Sequence, residues 1–333
     1  MTCHSLSSMR RIAAILTVAL AMGLSVPARA AADNDRFVLL ISGASGDPEY
    51  AAAFRKWVDT LESTLHDKFQ YAADHVVVLT ETPKAGESKA TADGVRQAVA
   101  ALKPRLTPTD QLVVILIGHG SDDASGAKFN LVGPDLTVKD WSELLASVPG
   151  HLAVVDTTSA SFPFLAGLSG HDRGIITATN CVAQRYATVF PDAFIQALSS
   201  DAADLDKNGR VSLLEAFTTA SRTVAQHYEQ GGIMATEVAL LDDNGDGKGT
   251  VAGTENAADG NVAAVTYLQG VAVQTSTDPE TQRLLTRQRE LTDQIDALRR
   301  RRGEMAADEY NRTLEGLLTE LATVSHDLRE KQR

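Results

Sequence analysis

Short apolar runs alternate with amphipathic stretches along the first half of the chain. Five of the runs are continuous, a pattern typical of strands buried on both faces of a parallel sheet. The predicted strands are Phe37–Gly43, His75–Thr80, Gln111–Gly118, Leu152–Thr157 and Gly174–Thr179. Residues 49–66 and 91–103 have helical spacing, and Thr91 is a candidate N-cap with Pro104 just beyond the second helix. Strands and helices in alternation predict an α/β fold in which helices cover both faces of a mostly parallel sheet.

The C-terminal segment 278–333 has a different pattern. It is rich in charged residues, and its apolar residues recur at intervals of three and four. The second half keeps this heptad spacing through Tyr310, Leu314, Leu317, Leu321, Val324 and Leu328. Residues 299–307 are predicted to form a turn between two antiparallel helices. Such an apolar face favours a helical hairpin or an oligomerisation coiled coil, so a homo-oligomer formed through these helices is a second possibility.

The first thirty residues have the organisation of a secretory signal peptide. Arg10 and Arg11 precede a nearly unbroken apolar run, 12–26, and Ala28-Arg29-Ala30 is a small-x-small cleavage site. The run is short for a membrane-spanning helix, which favours cleavage over an uncleaved anchor. We therefore expect an exported protein, periplasmic or secreted, with no stable membrane anchor once segment 1–30 is removed.

Composition and charge exclude several classes of protein. With 44% hydrophobic and 22% charged residues, the 333-residue chain has the balance of a soluble globular protein. Cleavage after Ala30 removes three arginines and no acidic residue, so the net charge changes from −12 to −15. Such a charge is repelled by phosphate backbones, and we expect no nucleic-acid partner. Cleavage also removes Cys3, and Cys181 alone cannot form an internal disulfide.

Polar residues follow three of the predicted strands, at the sheet edge where α/β proteins bind ligands. The third strand leads into Gly118-His119-Gly120-Ser121, and the fourth into Thr157-Thr158-Ser159-Ala160-Ser161. The fifth leads into Thr177-Ala178-Thr179-Asn180-Cys181. The glycines beside His119 leave room for a substrate, and an imidazole suits a general base near neutral pH. A structural loop histidine is the alternative interpretation.

The His-Gly element and the hydroxyl-rich element together resemble the clan of caspases, legumains and gingipains, which are cysteine peptidases. The layout is most similar to bacterial relatives of the legumain (C13-type) peptidases, over roughly residues 36–240. The resemblance implies a caspase-like three-layer αβα sandwich, endopeptidase activity and a peptide or protein ligand. It also implies that His119 is the base, that Gly120 lies at the oxyanion site, and that residues 177–185 form a wall of the specificity pocket.

The sequence departs from the family at the nucleophile. When segment 158–162 is set against the family's Ala-Cys-x-Ser-Gly, Ser159 stands at the cysteine position, and a shift of one residue puts Thr158 there. A hydroxyl is a far weaker acid than a thiol and needs a well-oriented base. The sequence thus leaves open an active endopeptidase or a catalytically inactive pseudopeptidase that binds peptides or proteins. Cys181 is a less favoured nucleophile, because free cysteines are commonly buried, and no G-x-S-x-G element indicates an unrelated esterase.

Segment 204–215 matches the twelve-residue EF-hand loop at every position. Gly209 provides the sharp turn, Val211 is the apolar eighth residue, and a helix is predicted at 216–228. The predicted ligands are the side chains of Asp204, Asp206, Asn208, Ser212 and Glu215 and the carbonyl of Arg210. Because these are hard oxygen donors, we expect Ca²⁺ in a structural role.

A second acidic segment starts in the same way at Asp242, Asn244 and Asp246, but Gly253 stands at its twelfth position. Weak calcium binding and a plain turn are both open. The sequence therefore predicts four parts: a signal peptide at 1–30, the α/β core at 31–200, the calcium loop and end of the core at 201–260, and the helical hairpin at 278–333.

Overall fold

The computed structural model describes residues 36–182, 187–255, 257–270, 276 and 278–331. The predicted signal peptide, 1–30, lies outside these residues, as does part of the predicted pocket wall at 177–185. Within the described part of the chain, no helix has the length and apolar character needed to cross a membrane.

A mostly parallel sheet lies at the centre of the protein. The described residues form β1 (Arg36–Ser42), β2 (Val76–Thr80), β3 (Ser88–Lys89), β4 (Gln111–Ile117), β5 (Gly120–Asp123), β6 (Gly126–Phe129), β7 (Leu136–Thr137), β8 (His151–Asp156), β9 (Arg173–Thr177) and β10 (Leu240–Asp242). Seven strands pair in the order β10-β9-β8-β4-β1-β2-β3, and β5, β6 and β7 form a small antiparallel sheet. In the large sheet only β10 is antiparallel to its neighbour. The five predicted strands are therefore confirmed.

Helices cover both faces of this sheet. The helices are α1 (Pro48–Ser63), α2 (Ala92–Leu102), α3 (Val138–Leu145), α4 (Phe162–Leu168), α5 (Phe190–Ser199), α6 (Leu213–Gly231), α7 (Pro279–Arg300) and α8 (Ala307–Lys331). Alternate side chains of β1 enter two separate cores: Val38 and Leu40 pack with α1, α5 and α6, whereas Leu39 and Ile41 pack with α2, α3 and α4. The predicted three-layer sandwich is confirmed, and Thr91 caps α2 by accepting a 3.0 Å bond from Gly94 N.

The pairing of β4 with β8 brings two candidate segments to one edge. The strands are parallel, with Leu116 opposite Asp156, so the residues that follow them leave the sheet side by side. The small sheet, which the hydrophobic pattern did not predict, begins at Gly120 and adds a second support. Asn130, directly after β6, accepts from Ala44 N at 3.1 Å and donates through its N–H to the carbonyl of His119 at 3.0 Å.

Helices α7 and α8 form the predicted antiparallel hairpin. Arg287 pairs with Glu320 at 2.7 Å, and Gln288 donates to Ser325 at 3.2 Å. Residues 301–306 separate the helices, at the position predicted for the turn. The apolar faces bury Leu285, Leu291, Val324 and Leu328 against each other. Association of two copies through this hairpin stays a prediction.

The hairpin docks on the segment that contains the first predicted calcium loop, residues 204–215. The Arg210 guanidinium lies 3.7 Å from the centre of the Tyr267 ring and 3.6 Å from the carboxylate of Asp296 in α7. Arg300, at the end of α7, donates to Val265 O at 3.1 Å and lies 3.3 Å from His151 Nε2, at the start of β8. The hairpin is therefore attached at the amino edge of the sheet, away from His119.

Packing within the hairpin gives a first testable prediction. Leu291 is fully buried, and we expect Leu291→Ala to destabilise α7 and α8 by about 2–5 kcal/mol. Amide hydrogen exchange in these two helices measures the change. Leu318→Ala is the matched control, because its side chain is 43% exposed and little packing is lost. Unchanged protection in Leu291→Ala would contradict this account of the hairpin.

Candidate active site and calcium loops

His119 is held at the carboxyl edge of the sheet by contacts on two sides. Its Nε2 lies 3.1 Å from the carbonyl oxygen of Ser45, in the loop after β1. Its ring packs edge-on against Tyr50, at 4.5 Å between centroids, and tilted against Phe54, at 5.2 Å. A carbonyl oxygen can only accept, so in the neutral ring Nε2 carries the proton and Nδ1 is left as an acceptor. In this arrangement Nδ1 is the ring nitrogen that can accept a proton.

The loop after β8 is fixed by hydrogen bonds from its threonines. Thr157 Oγ1 donates to Leu116 O at 2.7 Å, and Thr157 O accepts from Thr188 Oγ1 at 2.5 Å. Thr157 and Thr158 are fully buried, whereas Ser159 is half-buried. Of the four hydroxyl residues in segment 157–161, Ser159 is the one that is not buried.

Gly120 lies against this loop. A Cβ atom at position 120 would lie 2.7 Å from Thr158 Oγ1 and 2.8 Å from the Cβ of Ala160. Because real Cβ atoms do not approach so closely, only glycine permits the contact. The structure thus brings the His119 segment and the Ser159 segment together. Within the described residues, however, neither Ser159 nor Thr158 hydrogen-bonds to His119, and Thr158 Oγ1 is buried without a partner.

Asp156 is fully buried at the end of β8. Its Oδ1 accepts from Thr158 N at 2.9 Å, and its Oδ2 has no partner among the described groups. Burial raises the pKa of Asp156 to about 6, against the opposing effect of the bond from Thr158. The carboxylate makes no hydrogen bond to His119 in the described structure, so it does not orient the imidazole as the carboxylate of a Ser-His-Asp triad would.

Cys181 is a half-buried free thiol beyond the end of β9. Residues 183–186, which follow it, lie outside the described part of the chain. In the preceding segment, Thr179 Oγ1 lies 3.0 Å from Ser161 Oγ and donates to Ser159 O at 3.4 Å. The end of β9 therefore supports the Ser159 loop through Thr179.

In the first predicted calcium loop, residues 204–215, three acidic side chains lie close together. Carboxylate oxygens of Asp204, Asp206 and Glu215 lie within 4.8 Å of one another. Glu215 accepts from Asp206 N at 3.1 Å and from Ser212 Oγ at 2.8 Å, and Gly209 turns the loop at φ +85°. Three carboxylates so close repel one another, which a divalent cation would relieve. The hard oxygen donors fit Ca²⁺.

The second acidic loop has the same hydrogen-bond pattern, except that one acceptor comes from outside the twelve positions. Gly247 N donates to Asp242 Oδ2 at 3.0 Å, as Gly209 N does to Asp204 Oδ2 in the first loop. Asp259 Oδ1 accepts from Asn244 N at 3.2 Å, which is the part that Glu215 plays towards Asp206. Asp259 therefore takes the place that the twelve-residue pattern assigns to Gly253.

Asp259 is a candidate ligand that the sequence did not indicate, because it lies beyond the twelve positions at which a ligand is expected. The carboxylates of this loop are less tightly gathered. Within the described residues, only the first loop brings three acidic side chains within 4.8 Å of one another. The two loops thus share hydrogen bonds but differ in how closely they group their charges.

Some solved structures are similar to this chain at low sequence identity. Neither a protein-family model nor a curated protein matches the sequence. Similar solved structures include a Geobacter sulfurreducens protein (TM-score 0.43, 13% identity, covering 62% of this chain and 92% of that chain) and the Drosophila initiator caspase Dronc (0.41, 14%, 63% and 80%). A secreted C11 cysteine protease from Bacteroides thetaiotaomicron is a third (0.39, 10%, 63% and 66%). With TM-scores below 0.5 these similarities carry no argument, and the functional proposals rest on the residues of this chain.

The burial of Asp156 gives a prediction on pH. Its pKa of about 6 in the folded protein exceeds the value of about 3.9 in an unfolded chain. The folded state therefore holds the proton more tightly, and the stabilising contribution is complete below about pH 4 and lost as the pH rises through 6. We expect Asp156→Asn to raise the free energy of unfolding by up to about 3 kcal/mol at pH 7.5 and by little at pH 4.

Urea unfolding of both proteins between pH 4 and 8 measures this difference. Asp122→Asn is the control, since Asp122 is exposed in β5 near the same edge. A gain that did not grow with pH would contradict the account of Asp156.

Proposed function

We propose that this chain is an exported peptidase-like protein of the legumain or caspase type, which binds peptide segments at the carboxyl edge of its sheet and hydrolyses them. The observation that carries the proposal is the bond between His119 Nε2 and Ser45 O, at 3.1 Å. It leaves Nδ1 as a proton acceptor, in a segment that Gly120 brings into contact with the loop of the half-buried Ser159. Export, with cleavage after Ala30, is part of the proposal and rests on the sequence.

In the proposed reaction, Ser159 Oγ attacks the peptide carbonyl carbon while His119 Nδ1 takes its proton. Backbone N–H groups near Gly120 and Ser159 hold the developing oxyanion. The C–N bond then breaks, and the imidazolium gives its proton to the leaving amine. His119 then takes a proton from water, which attacks the ester carbon; the bond to Ser159 Oγ breaks, and the imidazolium returns the proton to Oγ.

A second function, peptide or protein binding without cleavage, is favoured by a specific observation. Neither Ser159 nor Thr158 hydrogen-bonds to His119 within the described residues, and Asp156 holds Thr158 N instead of the imidazole. In a Ser-His-Asp triad the serine hydrogen-bonds to the histidine and the carboxylate orients the histidine. In that case the same cleft serves as the binding site of a pseudopeptidase.

Hydrolysis of a mixed peptide library by the mature protein, with calcium present, separates the two functions. We expect His119→Ala and Ser159→Ala each to lower the rate of cleavage by at least about 100-fold, because base and nucleophile act as one unit. Cys181→Ala should cleave at the wild-type rate.

The outcomes are distinct. Cleavage lost in Cys181→Ala but kept in Ser159→Ala would contradict the proposed nucleophile. If no form cleaves, but the wild-type protein retains library peptides and His119→Ala does not, the binding function replaces the hydrolytic one.

We also propose that the two acidic loops bind Ca²⁺ and stabilise the fold. The first site would use Asp204, Asp206, Asn208, Ser212 and Glu215 and the carbonyl of Arg210, and the second would use Asp242, Asn244, Asp246 and Asp259. The close grouping of three carboxylates supports the first site. We expect the second site to be weaker, since its acidic side chains are less tightly gathered.

Thermal unfolding with and without calcium tests this proposal. Calcium at about 100 times its Kd should stabilise the protein by roughly 2.7 kcal/mol, seen as a higher Tm. Glu215→Gln should lose most of this response and Asp259→Asn a smaller part. Asp327→Asn, exposed in α8, is the control. A response of wild-type size in Glu215→Gln would exclude the first loop as the site.

A further inference from the structure

We infer that Glu81 is a positioning residue that sets the proton arrangement of His119 by fixing the carbonyl group of Ser45. The inference rests on the proposed role of His119 as a base, but it concerns a residue outside the segments with which the proposal was built. Glu81 follows β2 directly, and β2 is the parallel neighbour of β1. Its carboxylate therefore reaches the loop that follows β1.

One oxygen of Glu81 holds Ser45 at two points. Oε2 accepts from Ser45 N at 3.1 Å and from Ser45 Oγ at 2.5 Å. Ser45 is buried, with 6% of its surface exposed. Hydrogen bonds to a carboxylate are stronger than neutral ones, and burial shields them from competing water. Glu81 thus restrains the residue whose carbonyl contacts the imidazole.

The loop needs this restraint because of its own backbone. Gly43 N and Ala44 N are bonded to Ile117 O at 2.9 Å and Asn130 O at 3.1 Å, so the chain is fixed up to Ser45. Gly46 follows with φ +78°. The peptide unit between Ser45 and Gly46 carries the carbonyl that faces His119, and glycine gives this unit a freedom that other residues lack. Without Glu81, the carbonyl can turn away.

The other contacts of His119 do not replace this bond. Tyr50 and Phe54 pack against its ring and limit where the ring lies. Ring packing does not choose which nitrogen carries the proton, whereas an acceptor at 3.1 Å from Nε2 does. Loss of the Ser45 carbonyl would therefore leave the ring in place but mix its two tautomers.

Glu81 also borders a cavity next to two residues that contact His119. The cavity that it lines, of about 470 Å³, also includes Ser45, Phe54 and Lys84. Phe54 and Ser45 contact His119 directly, so this cavity adjoins the proposed base. A substitution at Glu81 can therefore be made beside the site without touching the Ser159 loop.

Nitrogen-15 NMR of the histidine side chains tests the inference. The wild-type spectrum should show His119 with the proton on Nε2, and the His119→Ala spectrum identifies its signals. We expect Glu81→Ala to give a mixture of the two tautomers, and Glu81→Gln, which keeps an acceptor oxygen, to restore the wild-type pattern. Where peptides are cleaved, Glu81→Ala should lower kcat by roughly 10- to 100-fold with KM little changed.

Two further variants keep the result interpretable. Glu87→Ala removes a carboxylate that binds Arg55 and Thr80 near the same strand end, and it should leave the His119 signals unchanged. Ser45→Ala removes only the Oγ bond to Glu81, and it should shift the tautomer balance in the same direction, which gives the readout if Glu81→Ala does not fold.

Unchanged His119 signals in folded Glu81→Ala, or in Ser45→Ala if that variant has to stand in, would overturn the inference and leave the proposed function untouched. A tautomer shift in a protein that cleaves no peptide would support the positioning role of Glu81. It would contradict only the proposed hydrolysis. The failure of one proposal is therefore distinguishable from the failure of the other.

Discussion

The parallel pairing of β4 with β8 is the constraint on which the candidate site depends. Two neighbouring parallel strands end at one edge, so His119 and Ser159 leave the sheet together although they lie far apart in sequence. The distance between their segments is then set by Gly120, where any larger residue would collide with Thr158 and Ala160. Sheet register and one glycine thus bring the two segments together at this edge.

The two edges of the sheet have separate tasks. The carboxyl edge carries the candidate chemistry, whereas the amino edge carries the attachment of the helical hairpin. The first predicted calcium loop, residues 204–215, lies with the hairpin at the amino edge, because its Arg210 contacts Tyr267 and Asp296 of α7. Helix α6 begins at the end of this loop, and its Tyr228 donates to Glu237, which also binds Val189 N. An ordered first loop would therefore stabilise the attachment of the hairpin and the packing of α6 on the core.

The sequence was informative wherever a feature is local. Continuous apolar runs predicted β1, β2, β4, β8 and β9, because strands buried on both faces leave no polar position. The heptad spacing predicted α7 and α8 for a similar reason. The contribution of Asp259 was not predictable, since it reaches the second loop from outside the twelve-residue pattern. Ser45 and Glu81 follow the first two predicted strands, so the rule that ligands bind at strand ends could have indicated them, but only three-dimensional pairing connects them to His119.

The nucleophile is where local pattern and three-dimensional arrangement meet. A thiol beside an imidazole ionises readily, whereas a hydroxyl depends on the base being held in one tautomer. The chain offers the hydroxyl of Ser159, and its imidazole is oriented: Ser45 accepts from His119, and Glu81 fixes Ser45. Hydrolysis needs a histidine nitrogen that can accept a proton, and Nδ1 is such a nitrogen when Nε2 carries the proton. Hydrogen bonds between a base and its nucleophile are often long without substrate and tighten on binding, so the missing bond to Ser159 counts less than the retained orientation of His119. Hydrolysis is for this reason the first function to test.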